Sequence, residues 1–222
     1  MRLIVYIQSA CVFTLACNLY VFKTTAPVKR SGALPRSNAE RAETTRAALL
    51  DAAHSLFVER GYAATSTPDI CSAAGLTRGA LYHHWSDKAA LLRAVLEREA
   101  ADVRAAIEWA AAPATSPADA LRLGSDAYLA AMAQRGRTRL LLIEGPAALG
   151  PAEIDALDAS HAAAALKQGL RAALRRDDAF ISVLSRLLSS AFDRAALDID
   201  AGADPAVTRK AMRWLMGRLL GD

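Results

Sequence analysis

Residues 67–88 read TPDICSAAGLTRGALYHHWSDK and contain two short helical segments separated by a turn. Thr67 followed by Pro68 predicts a helix start, with threonine as the N-cap and proline at the first helical position. Gly75 predicts the end of this helix, because glycine adopts the left-handed backbone conformation of a helix C-terminus at little cost. Thr77 predicts the N-cap of the next helix. The stretch therefore has the sequence pattern of a helix–turn–helix.

The second of these helices has one apolar side. Leu81 and Trp85 are four residues apart, so we expect both to face the core, together with Ile70 and Leu76. The opposite side combines small, basic and aromatic residues, namely Arg78, Gly79, Ala80, Tyr82 and His83. An exposed helix side of this composition is suited to lie in the major groove of DNA.

This stretch resembles the DNA-binding signature of the TetR family of transcriptional regulators. The similarity is carried by AGLTRGALYHH at residues 74–84 and extends to Gly61-Tyr62 before it and Leu91-Leu92 after it. The resemblance implies an all-α homodimer that binds double-stranded DNA at a pseudo-palindromic operator. It also implies a larger C-terminal domain that binds a small-molecule effector and then releases the DNA, as expected of a repressor.

Three residues are expected, by this resemblance, to contact DNA phosphates: Thr67, Thr77 and Lys88. The two threonines lie at helix starts, where free N–H groups favour anions, and Lys88 supplies a point charge. Pro68 stands where some members of the family have a base-reading polar side chain. We therefore expect the first short helix to add little direct readout of bases.

The other DNA contacts implied by the resemblance lie on the second short helix. Arg78 and His83 are expected to reach base edges or phosphates, and Tyr82 the backbone or a thymine methyl group. Gly79 and Ala80 are small enough to let the helix approach the groove closely. The alternative is that His83 and His84 are ordinary surface histidines, that Lys88 is merely solvated and that Tyr82 belongs partly to the core.

The composition favours an all-α fold, because 51 of the 222 residues are alanine and only 6% are aromatic. We expect an apolar lead-in and linker at residues 1–40, a helix–turn–helix domain at 41–90, and a ligand-binding and dimerisation domain at 91–222. Helix starts are predicted at Ser86, Ser116-Pro117, Gly150-Pro151, Asp177-Asp178 and Asp204-Pro205, the helix after Pro151 running unbroken to Leu174.

The C-terminal part is expected to form both a ligand pocket and a dimer interface. The last two helices have apolar residues at helical spacing, and the resemblance implies that they pair with a second copy across a two-fold axis. The alternative is that these residues face only their own core. The candidate pocket residues, each of which could instead be plain core or surface, are Trp109, Tyr128, Met132, Arg139, Glu144 and His161.

The net charge of +4 does not by itself indicate DNA binding. Residues 1–40 contain five basic residues and one acidic residue, so the remaining chain is balanced between the two kinds. A DNA-binding prediction therefore depends on particular residues and not on bulk charge.

Residues 3–22 form a 20-residue uncharged and mostly apolar run, which is long enough to span a bilayer as a helix. Three interpretations stay open: a translation start further downstream, a membrane anchor, and a secretory or lipoprotein-like signal. The anchor would make the protein a membrane-tethered regulator, with Lys23, Lys29 and Arg30 on the cytoplasmic side.

Enzyme classes with well-known sequence motifs are not indicated. The sequence has no nucleophile elbow, phosphate-binding loop, dinucleotide fingerprint or zinc-ligand spacing, and His161 with Glu144 lacks a nucleophile. We therefore predict no enzyme activity, no cofactor and no metal. Cys71 is the one cysteine after residue 40, and the absence of a pairing partner fits a reducing cytoplasm.

Overall fold

The computed structural model describes residues 37–221, and over this range the chain folds into helices without any strand. The α-helices are α1 (Asn38–Arg60), α2 (Thr67–Ala74), α3 (Arg78–His84), α4 (Lys88–Ala111), α5 (Pro117–Met132), α6 (Arg137–Arg139), α7 (Gly145–Leu149), α8 (Pro151–Ser160), α9 (Ala162–Ala173), α10 (Asp178–Asp200) and α11 (Pro205–Leu220). A π-helical segment, Leu140–Glu144, lies between α6 and α7. The all-α prediction is confirmed.

Two helix starts differ by one residue from the predicted positions. Ser66, and not Thr67, is the N-cap of α2, because its hydroxyl accepts from the backbone N–H of Asp69 while the Asp69 carboxylate accepts from the Ser66 N–H. Asp87, and not Ser86, caps α4. Adjacent residues that can all accept this hydrogen bond make the N-cap ambiguous in the sequence.

The first three helices share a core with the start of α4. Phe57 of α1, Ile70 of α2, Leu81 of α3 and Leu91 of α4 are all fully buried. Trp85 is also buried, as predicted, and follows the last residue of α3. Packing of Leu81 and Trp85 fixes the rotation of α3 and leaves its other side in solvent.

The helix predicted from Pro151 to Leu174 is broken. His161 has a non-helical backbone (φ −120°, ψ −109°) and separates α8 from α9. In the C-terminal half, α4 packs along α5, and α9 and α10 pack against these two helices. Helix α11 packs on α5. Helix α4 also contacts α1, so it connects the two halves of the described chain.

Helix α10 has two apolar sides. One side, with Ile181, Leu188, Phe192 and Ala195, is buried in the chain's own core. A second set of apolar residues on α10 and α11 is exposed and forms what we call the outer apolar face: Phe180, Val183, Leu187, Val207, Trp214 and Leu215. For the buried side of α10, the alternative that its apolar residues face their own core is the one observed, and the surface available to a partner is the outer apolar face.

Within residues 37–221, none of the helices is both long and apolar enough to cross a membrane. The membrane anchor and the signal proposed at residues 3–22 lie outside the described residues.

Candidate nucleic-acid interface and internal cavity

The exposed side of α3 is displayed by a short, well-anchored segment. The Thr77 hydroxyl accepts from the Ala80 N–H, which fixes the first turn of α3. Thr77, Arg78, Gly79 and His83 are exposed, Ala80 is half-buried, and Tyr82 is 46% exposed. The structure thus brings the predicted contact residues of α3 to one surface, although Tyr82 keeps about half of its area covered.

Tyr82 is held between two neighbours. Its hydroxyl lies 3.4 Å from the Thr67 hydroxyl at the start of α2, and the Arg78 guanidinium lies 6.0 Å from the centre of its ring. The hydrogen bond with Thr67, followed by the one with Arg78, lowers the pKa of Tyr82. Thr67, Arg78 and Tyr82 therefore form one polar surface across α2 and α3.

Lys88, which is expected to contact a DNA phosphate, also makes contacts within the protein. Its ammonium donates to the backbone carbonyls of Tyr62 and Thr65, at 2.9 Å each, and lies 4.1 Å from the centre of the Tyr62 ring. An ammonium has three N–H donors, so two of them are used inside the protein. The primary contact of Lys88 is thus with the turn between α1 and α2.

Replacing Lys88 with methionine is expected to lower the free energy of unfolding by about 1.5–3 kcal/mol, since two carbonyls lose a charged donor. Urea unfolding followed by circular dichroism measures this. Lys210→Met removes the same charge from an exposed position on α11 and is the control. Equal stability of the two variants would contradict an internal role for Lys88.

The same turn is tied to the C-terminal half by Glu144. The Tyr62 N–H donates to the Glu144 carboxylate at 2.5 Å, and Arg139 pairs with that carboxylate at 2.8 Å. Gly61 permits this approach, because a Cβ atom there would lie only 3.0 Å from the Glu144 Oε1 atom. Arg139 and Glu144 were predicted to line a pocket, and this prediction is wrong because both reach the end of α1.

A second charged group, unexpected from the sequence, links the two halves. The buried Glu99 of α4 accepts from Arg137 Nε at 2.6 Å and lies 3.1 Å from the His54 ring of α1. Arg137 also donates to the Ala131 carbonyl. Burial would raise the pKa of Glu99, but the hydrogen bonds from His54 and Arg137 outweigh it and lower the pKa to about 2. In the sequence, this buried contact is marked by a glutamate within the apolar stripe of α4.

A cavity of about 560 Å³ lies between α4, α5, α9 and α10. Its walls are mainly apolar, including Ile107, Leu121, Leu166 and Phe192. A smaller cavity of about 80 Å³ lies beside it and shares Tyr128 and Ala162 with it. A concave, mainly apolar space with few polar groups is typical of a small-molecule site.

The predicted pocket residues distribute unevenly around these cavities. Tyr128 lines both, while Met132 and His161 line only the smaller one. Trp109 is 82% exposed and lines neither. Because Ile107 and Ala111 face the cavity, Trp109 between them points to the opposite side of α4. Its assignment to the pocket is therefore wrong.

The sequence did not indicate the polar contacts around these cavities, in which Tyr128 and Ser189 line the larger cavity and Asp158 and Asp193 line the smaller one. The Tyr128 hydroxyl donates to Asp193 at 2.6 Å, and the Ser189 hydroxyl donates to Asp158 at 3.3 Å. Burial raises the pKa of Asp158 and raises the pKa of Asp193 to about 6. These contacts join residues 31 or more positions apart, so no local pattern marks them.

Comparison with known proteins supports the same fold. Residues 49–95 match the family model described as bacterial regulatory proteins, tetR family, and residues 118–222 match the tetracyclin repressor-like C-terminal domain. A TetR-family regulator from Pectobacterium atrosepticum is 30% identical, with a TM-score of 0.63, over 83% of this chain and 96% of that one. The fatty acid degradation regulator FadR from Bacillus halodurans, 16% identical, has a TM-score of 0.65 over 78% of this chain and 94% of its own, and shows the fold alone.

Curated relatives match shorter stretches of the chain. The regulator TtgR from Pseudomonas putida is 45% identical over 62 residues, which is 28% of this chain and 30% of that protein. The repressor KstR2 from Rhodococcus jostii is 47% identical over 51 residues, which is 23% of this chain and 25% of that protein. The chain thus spans less than a third of the length of these relatives.

Proposed function

The chain belongs to the TetR family of bacterial regulatory proteins, and from this premise we propose that it is a DNA-binding transcriptional repressor released from its operator by a small-molecule effector. In this proposal it is a regulator and not an enzyme, and it acts in the cytoplasm, where it can reach the chromosome. The DNA-binding domain comprises residues 41–90 and the ligand-binding and dimerisation domain residues 91–222.

The observation that carries this proposal is the exposed side of α3. Arg78, Tyr82 and His83 project from one surface of a short helix whose other side is fixed in the core by Leu81 and Trp85. A helix of this kind fits the major groove, where arginine and tyrosine side chains can contact bases and phosphates. Thr77 lies at the start of α3, where free N–H groups favour a phosphate contact. Gly79 has no side chain and lets the helix backbone come close to the DNA.

Dimerisation supplies the second copy of α3. The outer apolar face on α10 and α11 exposes large side chains, with Leu187 at 65% and Trp214 at 64%. One self-complementary patch is sufficient for a two-fold dimer. A pseudo-palindromic operator with half-sites about one helical turn of DNA apart would then match the two α3 helices.

Trp214→Glu is expected to convert the dimer into a monomer, because two charges would be placed against an apolar partner surface. Size-exclusion chromatography with light scattering gives the mass directly. Trp109→Glu is the matched control, since Trp109 is also exposed but lies on α4, away from the outer apolar face. A monomeric wild-type protein, or dissociation of both variants alike, would contradict the proposed interface.

Release of DNA can proceed through the contacts that join the two halves. Helix α4 forms a wall of the cavity and also contacts α1. Glu144 holds the Tyr62 N–H, and Lys88 holds the Tyr62 carbonyl. An effector that binds better to an arrangement with a shifted α4 would disfavour the spacing of the α3 helices needed on DNA.

The experiment that tests DNA binding is selection of duplexes from a random-sequence pool by the purified protein, followed by fluorescence anisotropy at physiological salt. We expect a selected two-fold-symmetric sequence to bind at least about 1,000-fold more tightly than a scrambled duplex. Failure to enrich any sequence, or equal affinity for the scrambled duplex, would contradict the proposed function.

A further inference from the structure

The larger cavity has mainly apolar walls and lies beside the smaller cavity, with which it shares Tyr128 and Ala162. Its middle is formed by Ile107, Leu121 and Leu166, and its exposed rim includes Glu108 and Gln168. Among the described residues that line either cavity, none is a lysine or an arginine. The charged groups around both spaces are therefore acidic, apart from the imidazole of His161.

Two hydroxyl groups that line the larger cavity, those of Tyr128 and Ser189, have already used their hydrogen atoms. Tyr128 donates its hydrogen to Asp193, and Ser189 donates its hydrogen to Asp158. A hydroxyl has one hydrogen and two lone pairs, so both oxygens can now only accept a hydrogen bond from a ligand. The two carboxylates behind them are also acceptors when ionised.

His161, in the smaller cavity, offers another acceptor. Its Nε2 atom lies 2.9 Å from the Glu97 carboxylate, so this nitrogen carries the hydrogen of the neutral ring. Its Nδ1 atom is then an acceptor, is buried, and has no hydrogen-bond partner among residues 37–221. The unfilled hydrogen-bonding positions at Asp158, Asp193, Tyr128, Ser189 and this imidazole are therefore all acceptors.

This arrangement discriminates between classes of ligand. The side-chain donors that line the larger cavity, Thr115, Ser116 and Gln168, are exposed. Beside Tyr128 and Ser189, a carboxylate or phosphate head group would meet no side-chain donor and would be repelled by Asp158 and Asp193. An ester or ketone oxygen would likewise find no donor from these side chains. A protonated amine would supply both the missing hydrogens and the opposite charge, and partial burial strengthens that attraction.

We propose that the larger cavity binds an apolar organic amine, whose ammonium donates to the Tyr128 and Ser189 oxygens and is attracted by Asp193 and Asp158, the carboxylates to which these hydroxyls donate. The proposal rests on the proposed function, in which this cavity is the effector site. The hydrocarbon part of the amine contacts the apolar walls, and the ammonium lies beside Tyr128 and Ser189.

The test compares four ligands with the same ten-carbon chain, each below its micelle concentration: decylamine, decyltrimethylammonium, decanol and decanoate. Isothermal titration calorimetry of the wild-type protein is expected to show decylamine binding at least tenfold more tightly than the other three. Decyltrimethylammonium has the charge without N–H donors, and decanol has a hydroxyl without the charge. Equal or tighter binding of any of these three would overturn the proposal.

Two conservative substitutions test where the ammonium group binds. Asp193→Asn and Asp158→Asn are each expected to weaken decylamine at least tenfold while changing decanol affinity less than twofold. Asp200→Asn makes the same change at an exposed position at the end of α10 and should leave both affinities unchanged. Circular dichroism establishes that each variant is folded. Loss of decanol binding together with decylamine binding in the folded variants would overturn the assigned position.

Failure of this proposal can be separated from failure of the proposed function by measuring the selected DNA duplex in the same solutions. If decanoate or decanol binds best and releases the duplex, the ligand class is wrong while effector-controlled DNA binding stands. If decylamine binds best but does not release the duplex, the ligand class stands and the effector role fails.

Discussion

Arg137→Met is expected to lower the free energy of unfolding by about 3–5 kcal/mol, because it leaves the buried carboxylate of Glu99 without its main partner. Arg137 and Glu99 are both nearly inaccessible, and their contact is 2.6 Å. His54 remains nearby but is a weaker donor unless protonated. Urea unfolding at pH 7 measures the loss.

The matched control is Arg104→Met. Arg104 pairs with Glu108 one turn further along the surface of α4, and such exposed pairs contribute about 0–1 kcal/mol. Replacing Arg137 and Glu99 together with methionine and leucine should recover most of the lost stability, because no unpaired charge remains. If Arg137→Met is as stable as Arg104→Met, the pair of Arg137 and Glu99 does not stabilise the contact between the two halves.

The same pair predicts a pH dependence. The pKa of Glu99 is lowered to about 2 in the folded protein, below its ordinary value of 4.5. The unfolded chain therefore binds the proton first, so this group's stabilisation is complete above pH 4.5 and is lost as the pH falls towards 2. The variant Arg137→Met should lose stability less steeply over this window than the wild-type protein.

Arg78→Ala and Tyr82→Ala are each expected to weaken binding to the selected duplex by about 1–3 kcal/mol, or roughly 5- to 150-fold, if the side chains contact bases. Fluorescence anisotropy measures both. Tyr82→Phe separates the hydroxyl, which contacts Thr67, from the ring, which contacts Arg78. Arg186→Ala, exposed on α10, removes the same charge away from α3 and should change affinity little.

The salt dependence of these variants identifies the kind of contact. If Arg78 neutralises a phosphate, its loss should reduce the slope of log affinity against log salt by about one. If Arg78 reads a base edge, specificity at one operator position should relax instead. Affinities within twofold of the wild-type protein for the alanine variants at both positions would contradict a DNA-contacting role for this side of α3.

The helix–turn–helix could be predicted because its signals are local. Gly75 adopts the left-handed conformation (φ 65°) that ends α2, and Thr77 caps α3 as expected. Leu81 and Trp85 are buried at the predicted spacing of one helical turn. Each of these features depends on residues within four positions of one another, and short-range patterns are where sequence reasoning is strongest.

The charged links and the cavity could not be predicted, because they depend on contacts between distant helices. Glu144, which accepts from the Tyr62 N–H, is 82 positions from Tyr62 in the sequence, and Tyr128 is 65 positions from Asp193, to which it donates. Arg139 and Glu144 were assigned to a pocket only because they stand beside an apolar run. Glu144 is the last residue of the π-helical segment, and its carboxylate accepts from the Tyr62 N–H after the end of α1.

The backbone of Tyr62 has a consequence for how this sequence can vary. Glu144 and Lys88 bind the N–H and the carbonyl of this residue, and every residue except proline has both groups. The side chain at position 62 can therefore change without removing either hydrogen bond, with the loss only of the ring contact with Lys88. The neighbouring position 61 does not have this freedom, because the Glu144 carboxylate lies against its glycine.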